Sequence, residues 1–429
     1  MKTYTPTLDA AVLDRLGAYA ALFADDFPQA KPARWAGVYL QGLLLDGERK
    51  SIEPLSRRVT LPDGLASTDP EQALQQFVNQ SPWDEQAVLK RYRAHLAQTF
   101  ASPDGLFLFD DVSFPKQGQH SVGVQRQYCG ALGKKANCQV AVSVHYVSPL
   151  GHYPLDLRLY LPESWLTDKK RLDRASVPKE QRRSRTKPEL ALELLDRVRA
   201  EGLPGRAVVA DAGYGVCGDF REGLQERGLD YIVGVTGEFV VFTAEPQWLR
   251  PAATGRGRPR TRPRLADDHP RPVSVRALAD QVPRRRVNWR AGTKGLLSGR
   301  FAWLRVWPAQ GWATGDCADA EPLGLLIEEQ ADGTLKFAFS NLPANTSCRA
   351  AVRLWKSRWP VEQGYQQLKE ELGLDHFEGR SWRGFHHHAA LTLLAYGFLL
   401  LERQRLTAER ERTKATRSRR VKKGVPSRR

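Results

Sequence analysis

The chain has 429 residues, 41% of them apolar and 9% aromatic, which is enough for two or three domains with cores and excludes a disordered polymer. Its 65 Lys and Arg against 48 Asp and Glu leave a formal net charge of +17, so the first partner to consider is a polyanion, above all nucleic acid. No run of 18 apolar residues predicts a membrane span, and the opening "MKTYTPTLDAAVLDRLGAYA" lacks the pattern of a secretion signal, so a cytoplasmic protein with no membrane partner is expected. The five cysteines, Cys129, Cys138, Cys217, Cys317 and Cys348, form no C-x-x-C pair and are expected as free thiols.

Residues 1–98 carry apolar residues at helical spacing in "LDAAVLDRLGAYAALF", "PARWAGVYLQGLLLDG" and "SPWDEQAVLKRYRAHLAQTF", the last with Ser81 as its expected N-cap, and predict a separate helical domain. From 99 to 240 the pattern changes. "GLFLFDD", "CQVAVSVHYV" and "LDLRLYLP" predict three successive antiparallel strands. "PELALELLDRVRAEGL" then reads as a helix, "GRAVVADAGYG" as a buried strand ending in a turn, "DFREGLQERGL" as a helix and "DYIVGV" as a strand. The class expected is mixed α/β, a sheet with helices packed on it. Residues 241–343 open with the Pro- and Arg-rich "PAATGRGRPRTRPRLADDHPRP", an exposed linker, and continue as a small β-rich insertion. Residues 344–407 return to helix, and 408–429 read as a basic disordered tail.

Three acidic positions stand out. Asp110 and Asp111 follow "LFLF", and Asp211 follows "AVVA", each at the end of an apolar strand, where a carboxylate gains a rigid base and an open front. Alternation does not choose between Asp110 and Asp111 without a known register. Asp also opens turns by bonding nearby N–H groups, so neither site is decisive alone. The third is "RLWKSRWPVEQGYQQLK", where Trp355, Arg358, Glu362 and Lys369 fall within an arc of about 60° on an ideal helix. Pro360 implies that a new helix starts there, which leaves only the Glu362 to Lys369 phase firmly implied.

The spacing W-x2-R-x3-E-x6-K resembles the Y-x2-R-x3-E-x6-K signature of bacterial insertion-sequence transposases with a DDE catalytic domain. "DDVSFPKQGQHSVGVQRQYCGALGKKANCQVAVSVHYV" and "VVADAGYG" resemble one branch of that family, and the likeness extends over residues 20 to 402. It implies an RNase H-like core with the first Asp on the first strand, the second after the fourth strand and the Glu on a later helix. By the family's pattern the catalytic, metal-holding set is Asp111, Asp211 and Glu362. The implied cofactor is a pair of Mg²⁺ ions, for which Mn²⁺ can substitute. Oxygen ligands suit Mg²⁺, and a two-metal site can activate a nucleophile and stabilise a leaving oxyanion. The implied activity is cut-and-paste transposition: cleavage at the element's ends, then attack of the freed 3′-OH on target DNA. The implied partners are double-stranded DNA, as terminal inverted repeats and target, and a second copy of the chain in the DNA-bound complex, near the nucleoid. A nuclease without strand transfer and an inactive DNA-binding derivative remain as alternatives.

Arg358 and Lys369 are expected as phosphate clamps. Trp355 stands where the family has Tyr; its indole can donate to a phosphate or stack on a base but cannot accept, and core packing fits it equally. Lys116, His120 and Arg126 lie just past the first Asp and are candidate DNA contacts, as are Arg256 and Arg258 of "GRGRPR", which is similar to a minor-groove-binding core. His386, His387 and His388 diverge by about 100° per residue on a helix and cannot share one ion, so a structural or phosphate-contacting role is expected.

Overall fold

In the computed structural model, residues 10–65, 67–250, 262–292 and 295–423 are described, with side chains through residue 414. The central element is the strand Leu106–Pro115 (β1). It runs antiparallel to Lys134–Ser148 (β3) on one side and parallel to Ala207–Ala210 (β5) on the other. β3 is long enough to pair at its far edge with two strands in turn, Gln125–Cys129 (β2) near its start and Gly151–Leu159 (β4) beyond. β5 pairs in parallel with Asp230–Val235 (β6). The antiparallel trio of β1, β3 and β4, followed by parallel β5 and β6 with helices between them, is the expected RNase H-like mixed sheet. β2 was not foreseen.

The insertion does not stand apart as a separate β unit. Leu335–Ser340 pairs antiparallel with β6, then Leu323–Glu329 and Gly295–Pro308 follow, so that among the described residues the sheet has twelve strands. Arg285–Gly292 forms a hairpin with Gly295–Pro308 at that end.

Alternation along β1 divides two cores. Phe107 and Phe109 point into the larger one with helix Lys187–Ala200, which is opened by a capping box between Thr186 and Glu189. Leu106 and Leu108 point the other way, against Ala351, Val352, Leu354 and Trp355 of helix Cys348–Trp355.

The larger core also takes in the N-terminal helices Ala10–Ala21, Ala30–Leu44, Pro70–Asn79 and Glu85–Phe100, so residues 1–98 are not a separate body as expected. They clasp the long helix Trp382–Lys423, and the three consecutive histidines are the fastening. His387 stacks on Trp83 with centroids 3.6 Å apart, and its two ring nitrogens lie 2.9 and 3.0 Å from the carbonyls of Val78 and Trp83, to one of which its single N–H donates. His388 bonds Tyr39 and the Gly373 carbonyl, and His386 bonds the Trp382 carbonyl. Burial pushes His386 and His387 down to about 3 and His388 to about 4, so all three are neutral packing groups.

Two boundaries differ from expectation. Asp84, not Ser81, caps the Glu85–Phe100 helix, its carboxylate accepting from Gln86 N at 2.8 Å. The stretch 408–423, expected as disordered tail, continues the last helix. From Phe398 to Lys423 there is neither Gly nor Pro, and Arg405 pairs with Glu409 one turn on, so propensity carries the helix past its tertiary support. Among the described residues no helix is long and apolar enough to cross a membrane.

The N-terminal helices are locked to the sheet by Arg93. Its guanidinium meets the Glu201 carboxylate through two bonds of 2.6 Å, donates to the Leu155 carbonyl and lies 3.5 Å from fully buried Asp156. Removing one partner of such a buried network is costly, so Arg93→Ala should lower the unfolding free energy in urea by about 3 kcal/mol. Arg183→Ala, at the exposed Arg183–Glu193 pair, should change it by less than about 0.5 kcal/mol.

Candidate active site

Phe109 on β1 is in register with Ala210 on β5, so Asp110 lies beside Asp211, which follows the last residue of β5. Asp110 and Asp111 are not at a strand end as expected: β1 continues to Pro115 because β3 still pairs with it there. Asp211 opens the helical turn Ala212–Gly215 and accepts from Gly213 N at 2.9 Å, the turn-forming use of Asp, while its carboxylate is still felt by both Asp111 and Asp110. Asp110 accepts from Asp111 N at 2.8 Å, and its Oδ2 lies 3.7 Å from Arg358 Nη2. Burial first, and then the neighbouring carboxylates of Asp211 and Asp111, push Asp110 up to about 7 against the pull of Arg358. Asp211 is raised by burial and by Asp111, again opposed by Arg358.

Asp111 sits on the other face of β1, in line with Phe107 and Phe109. Tyr214 OH donates to its Oδ1 at 2.6 Å and Lys187 pairs with its Oδ2. Asp110 thus faces Arg358 and the helices that carry the third acid, whereas Asp111 is engaged by groups from behind the sheet.

Helix Trp359–Gln366 begins with Pro360 in its first turn, as proline geometry requires, and crosses over β3 and β4. Gly364 packs over buried His145, with room for a Cβ at an ordinary contact distance of 3.4 Å from the ring. Tyr365 OH hydrogen-bonds Ser143, which is in register with Asp110 and donates to its carbonyl at 3.2 Å. Glu362 lies four residues after Arg358 and three before Tyr365, so it is bracketed on the helix by the two residues that reach the Asp110 neighbourhood. Its side chain is exposed. Among the described residues no three carboxylate, His or Cys groups are near enough to hold one ion, so Glu362 stands back from the aspartate pair.

The other expected contacts divide. Lys369 falls in the π-helical turn Gln367–Glu371 and donates to the Ser113 carbonyl at 3.2 Å, with burial lowering its pKa. Lys116 donates to the Phe377 carbonyl at 2.6 Å and is likewise lowered by burial. His120 and Arg126 are exposed, and Arg256 and Arg258 lie outside the described residues. Trp355 is corrected: it is 7% exposed, and its indole N–H donates to buried Glu328 at 2.8 Å, so no face remains for DNA. Lys187, Tyr214, Ser143 and Tyr365 were missed. Only Tyr365 carried a signal, being seven residues from Arg358 on the same helical stripe.

Residues 22–296 match the family model described as DDE superfamily endonuclease, well over half of the chain, and the chain belongs to that family. The match includes both aspartates and ends before Glu362. The "Probable transposase for insertion sequence element IS701" of Microchaete diplosiphon is 30% identical over 195 residues, 45% of this chain and 46% of that protein, so the alignment spans about half of the curated relative. The structure titled "Cryo-EM structure of piggyBac transposase synaptic complex with hairpin DNA (SNHP)" aligns over 95% of this chain and 69% of that one, at 10% identity and a TM-score of 0.37, a likeness too distant to build on.

Family membership implies dependence on a divalent metal ion. The donors fit one. Two carboxylates are crowded and partly desolvated so that their proton affinity rises, and a hard cation relieves that repulsion with the oxygen ligands it prefers.

Without metal, the crowding sets a pH dependence. Between its ordinary 3.8 and about 7, Asp110 stays protonated in the folded chain while the unfolded chain has lost the proton. Stability therefore falls as pH rises through that window, and the penalty is complete above it. Asp110→Asn removes the penalty. In chelator at about pH 8 the variant should be more stable than the parent by on the order of 1–2 kcal/mol, allowing for solvent screening, and the gap should close at about pH 4. Equal thermal melting at both pH values would show that Asp110 is not crowded.

Proposed function

We propose that this chain is the transposase of a DNA insertion sequence, cleaving double-stranded DNA at the element's ends and joining the 3′-OH to target DNA. The observation that carries the reading is the placing of Asp110, on β1, beside Asp211, at the end of the parallel strand β5, with Arg358 3.7 Å from Asp110 and Glu362 on the helix that follows Arg358, in a chain of the DDE endonuclease family.

Asp110 and Asp211 would hold the metal from the sheet, and Glu362 would supply the third carboxylate from the helix. Mg²⁺, two ions in the full site, would supply activation of the attacking oxygen and stabilisation of the leaving one. Arg358, whose only ion pair among the described residues is with Asp110 at 3.7 Å, would be free to meet a phosphate oxygen once Asp110 held a metal. Tyr365 and Ser143 fix the helix over β1 and β3, so the Glu362 backbone is held while its side chain stays free to close in. Lys187 and Tyr214 hold the Asp111 carboxylate, which steadies the strand end next to the metal ligand. Synapsis of two ends requires two copies of the chain.

A supercoiled plasmid carrying the element's ends, incubated with the protein and Mg²⁺, tests the reading. Joined products support it, and nicking alone refutes strand transfer. Asp110→Asn, Asp211→Asn and Glu362→Gln should each reduce cleavage at least about a hundredfold. Asp111→Asn should lower the melting temperature while leaving Mn²⁺ binding by calorimetry intact. Loss of Mn²⁺ binding in a folded Asp111→Asn protein, with Asp110→Asn unaffected, would exchange the two assignments.

A further inference from the structure

Several exposed arginines among the described residues have a carboxylate at hand: Arg57 pairs with Glu53, Arg262 with Asp316 and Arg300 with Glu329. On one face three arginines stand together without one. Helix Cys348–Trp355 buries Ala351, Val352, Leu354 and Trp355 against the sheet and turns Arg349 and Arg353 outward. Each is fixed at its Nε by a backbone carbonyl of the strand Arg285–Gly292, Arg349 to Asn288 at 2.9 Å and Arg353 to Trp289 at 3.1 Å. None of the ion pairs among the described residues involves Arg349, Arg353 or Arg290. At one end of this face Arg206 joins Arg349, Arg353, Ser347 and Leu106 around a surface cavity of about 320 Å³, with only exposed Asp104 near it, at 3.5 Å. At the other end Arg290 stacks over Trp359, 5.2 Å from the ring centre, and Trp359 is 47% exposed three residues before Glu362.

We propose that this arginine-lined face is a track for the phosphates of duplex DNA, leading away from the aspartate pair. Anchoring at Nε removes much of the side chain's freedom and leaves the outer N–H groups to meet phosphate oxygens, so less entropy is lost on binding. The missing carboxylates mean that no internal ion pair must break first. Leu106, which lines the cavity with Arg349 and Arg353, precedes Asp110 by four residues on the same face of β1, about 13 Å of strand at 3.3 Å per residue. That spans about four base-pair steps of 3.4 Å, so a duplex held at Arg349 and Arg353 passes within a few base pairs of Asp110. Backbone contacts of this kind carry no sequence information, which suits DNA beyond the element's recognised end or the target duplex. The inference rests on the DNA-cleaving reading above, but its test does not use cleavage.

Binding of a random-sequence duplex of about 30 base pairs is measured in chelator, in an Asp110→Asn background, as a function of salt. Arg349→Ala with Arg353→Ala should remove two phosphate contacts and reduce the slope of log K against log salt by about 1.8, so raising salt from about 50 to 200 mM should weaken the parent about twelvefold more than the variant. Arg349→Lys with Arg353→Lys should restore most of the slope. An unchanged slope in the alanine variant, with its melting temperature preserved, overturns the proposal. So does a single-stranded RNA of equal length that competes with the duplex at equal concentration, because the track would then not be one for duplex DNA. If the slope falls as expected while metal-dependent cleavage is absent, the track stands and the catalytic reading fails.

Discussion

Two carboxylates held side by side by the parallel register of β1 and β5 are the constraint around which the rest of this molecule is arranged. Like charges at that separation repel, and burial adds to the cost, yet neither strand can shift to relieve it. Phe107 and Phe109 on one face and Leu106 and Leu108 on the other lock β1 between two cores, and a slip of one residue would exchange those sets. The repulsion is therefore borne as raised proton affinity at Asp110 and Asp211, with Arg358 as the partial counter-charge. A site built this way gains most from a divalent cation, which supplies more positive charge than the single guanidinium does.

The helical segment from Trp355 to Lys369 divides its labour at Pro360. Before it, Trp355 and Lys356 turn inward to buried Glu328, which satisfies one carboxylate with an indole N–H and an ammonium and seals the helix to the inserted strands. After it, the chain starts again with a new phase, and Glu362 faces solvent between Arg358 and Tyr365. The π-helical turn at Gln367–Glu371 then widens the helix, and Lys369 reaches the Ser113 carbonyl on β1. One stripe of residues thus contacts the sheet at Asp110, Ser143 and Ser113 in turn, which fixes the height of Glu362 above the strands while leaving its carboxylate unengaged.

Elements with a strong period or clear punctuation were legible in the sequence. The apolar runs before Asp110 and Asp211 gave the two central strands, the helical spacing in "PELALELLDRVRAEGL" gave the helix between them, and Pro360 gave the helix start within one residue. Register was not legible. Alternation alone left Asp110 and Asp111 equal, and only the cross-strand partners show which of them shares a face with Arg358. Lys187 and Tyr214 could not have been connected with Asp111, because nothing in their spacing marks a contact 76 or 103 residues away. Asp69 followed by Pro70 was a readable helix start that went unused, with Asp69 accepting from Gln72 N as an N-cap should. For Trp355 the sequence left DNA contact and core packing equal, because an indole can satisfy its single donor in either place, and burial with the bond to Glu328 makes it a packing group.

The two expected extra units, a helical N-terminal domain and a β insertion, prove to be structural continuations of the core, and this limits what each can do. The N-terminal helices spend their apolar faces on helix Trp382–Lys423 and on β4 through Phe77, Trp83, Tyr92 and Arg93, so any recognition of DNA by residues 1–98 must use the exposed sides of those helices. The insertion adds strands in line with β6, which brings Arg285–Gly292 beside helix Cys348–Trp355 and lets two backbone carbonyls anchor Arg349 and Arg353. A flexible insertion could not do this, since a carbonyl that moves cannot orient a guanidinium. The same extension that lengthens the sheet therefore also fixes a charged surface at a set distance from the aspartate pair, and that distance is determined by the four residues of β1 from Leu106 to Asp110.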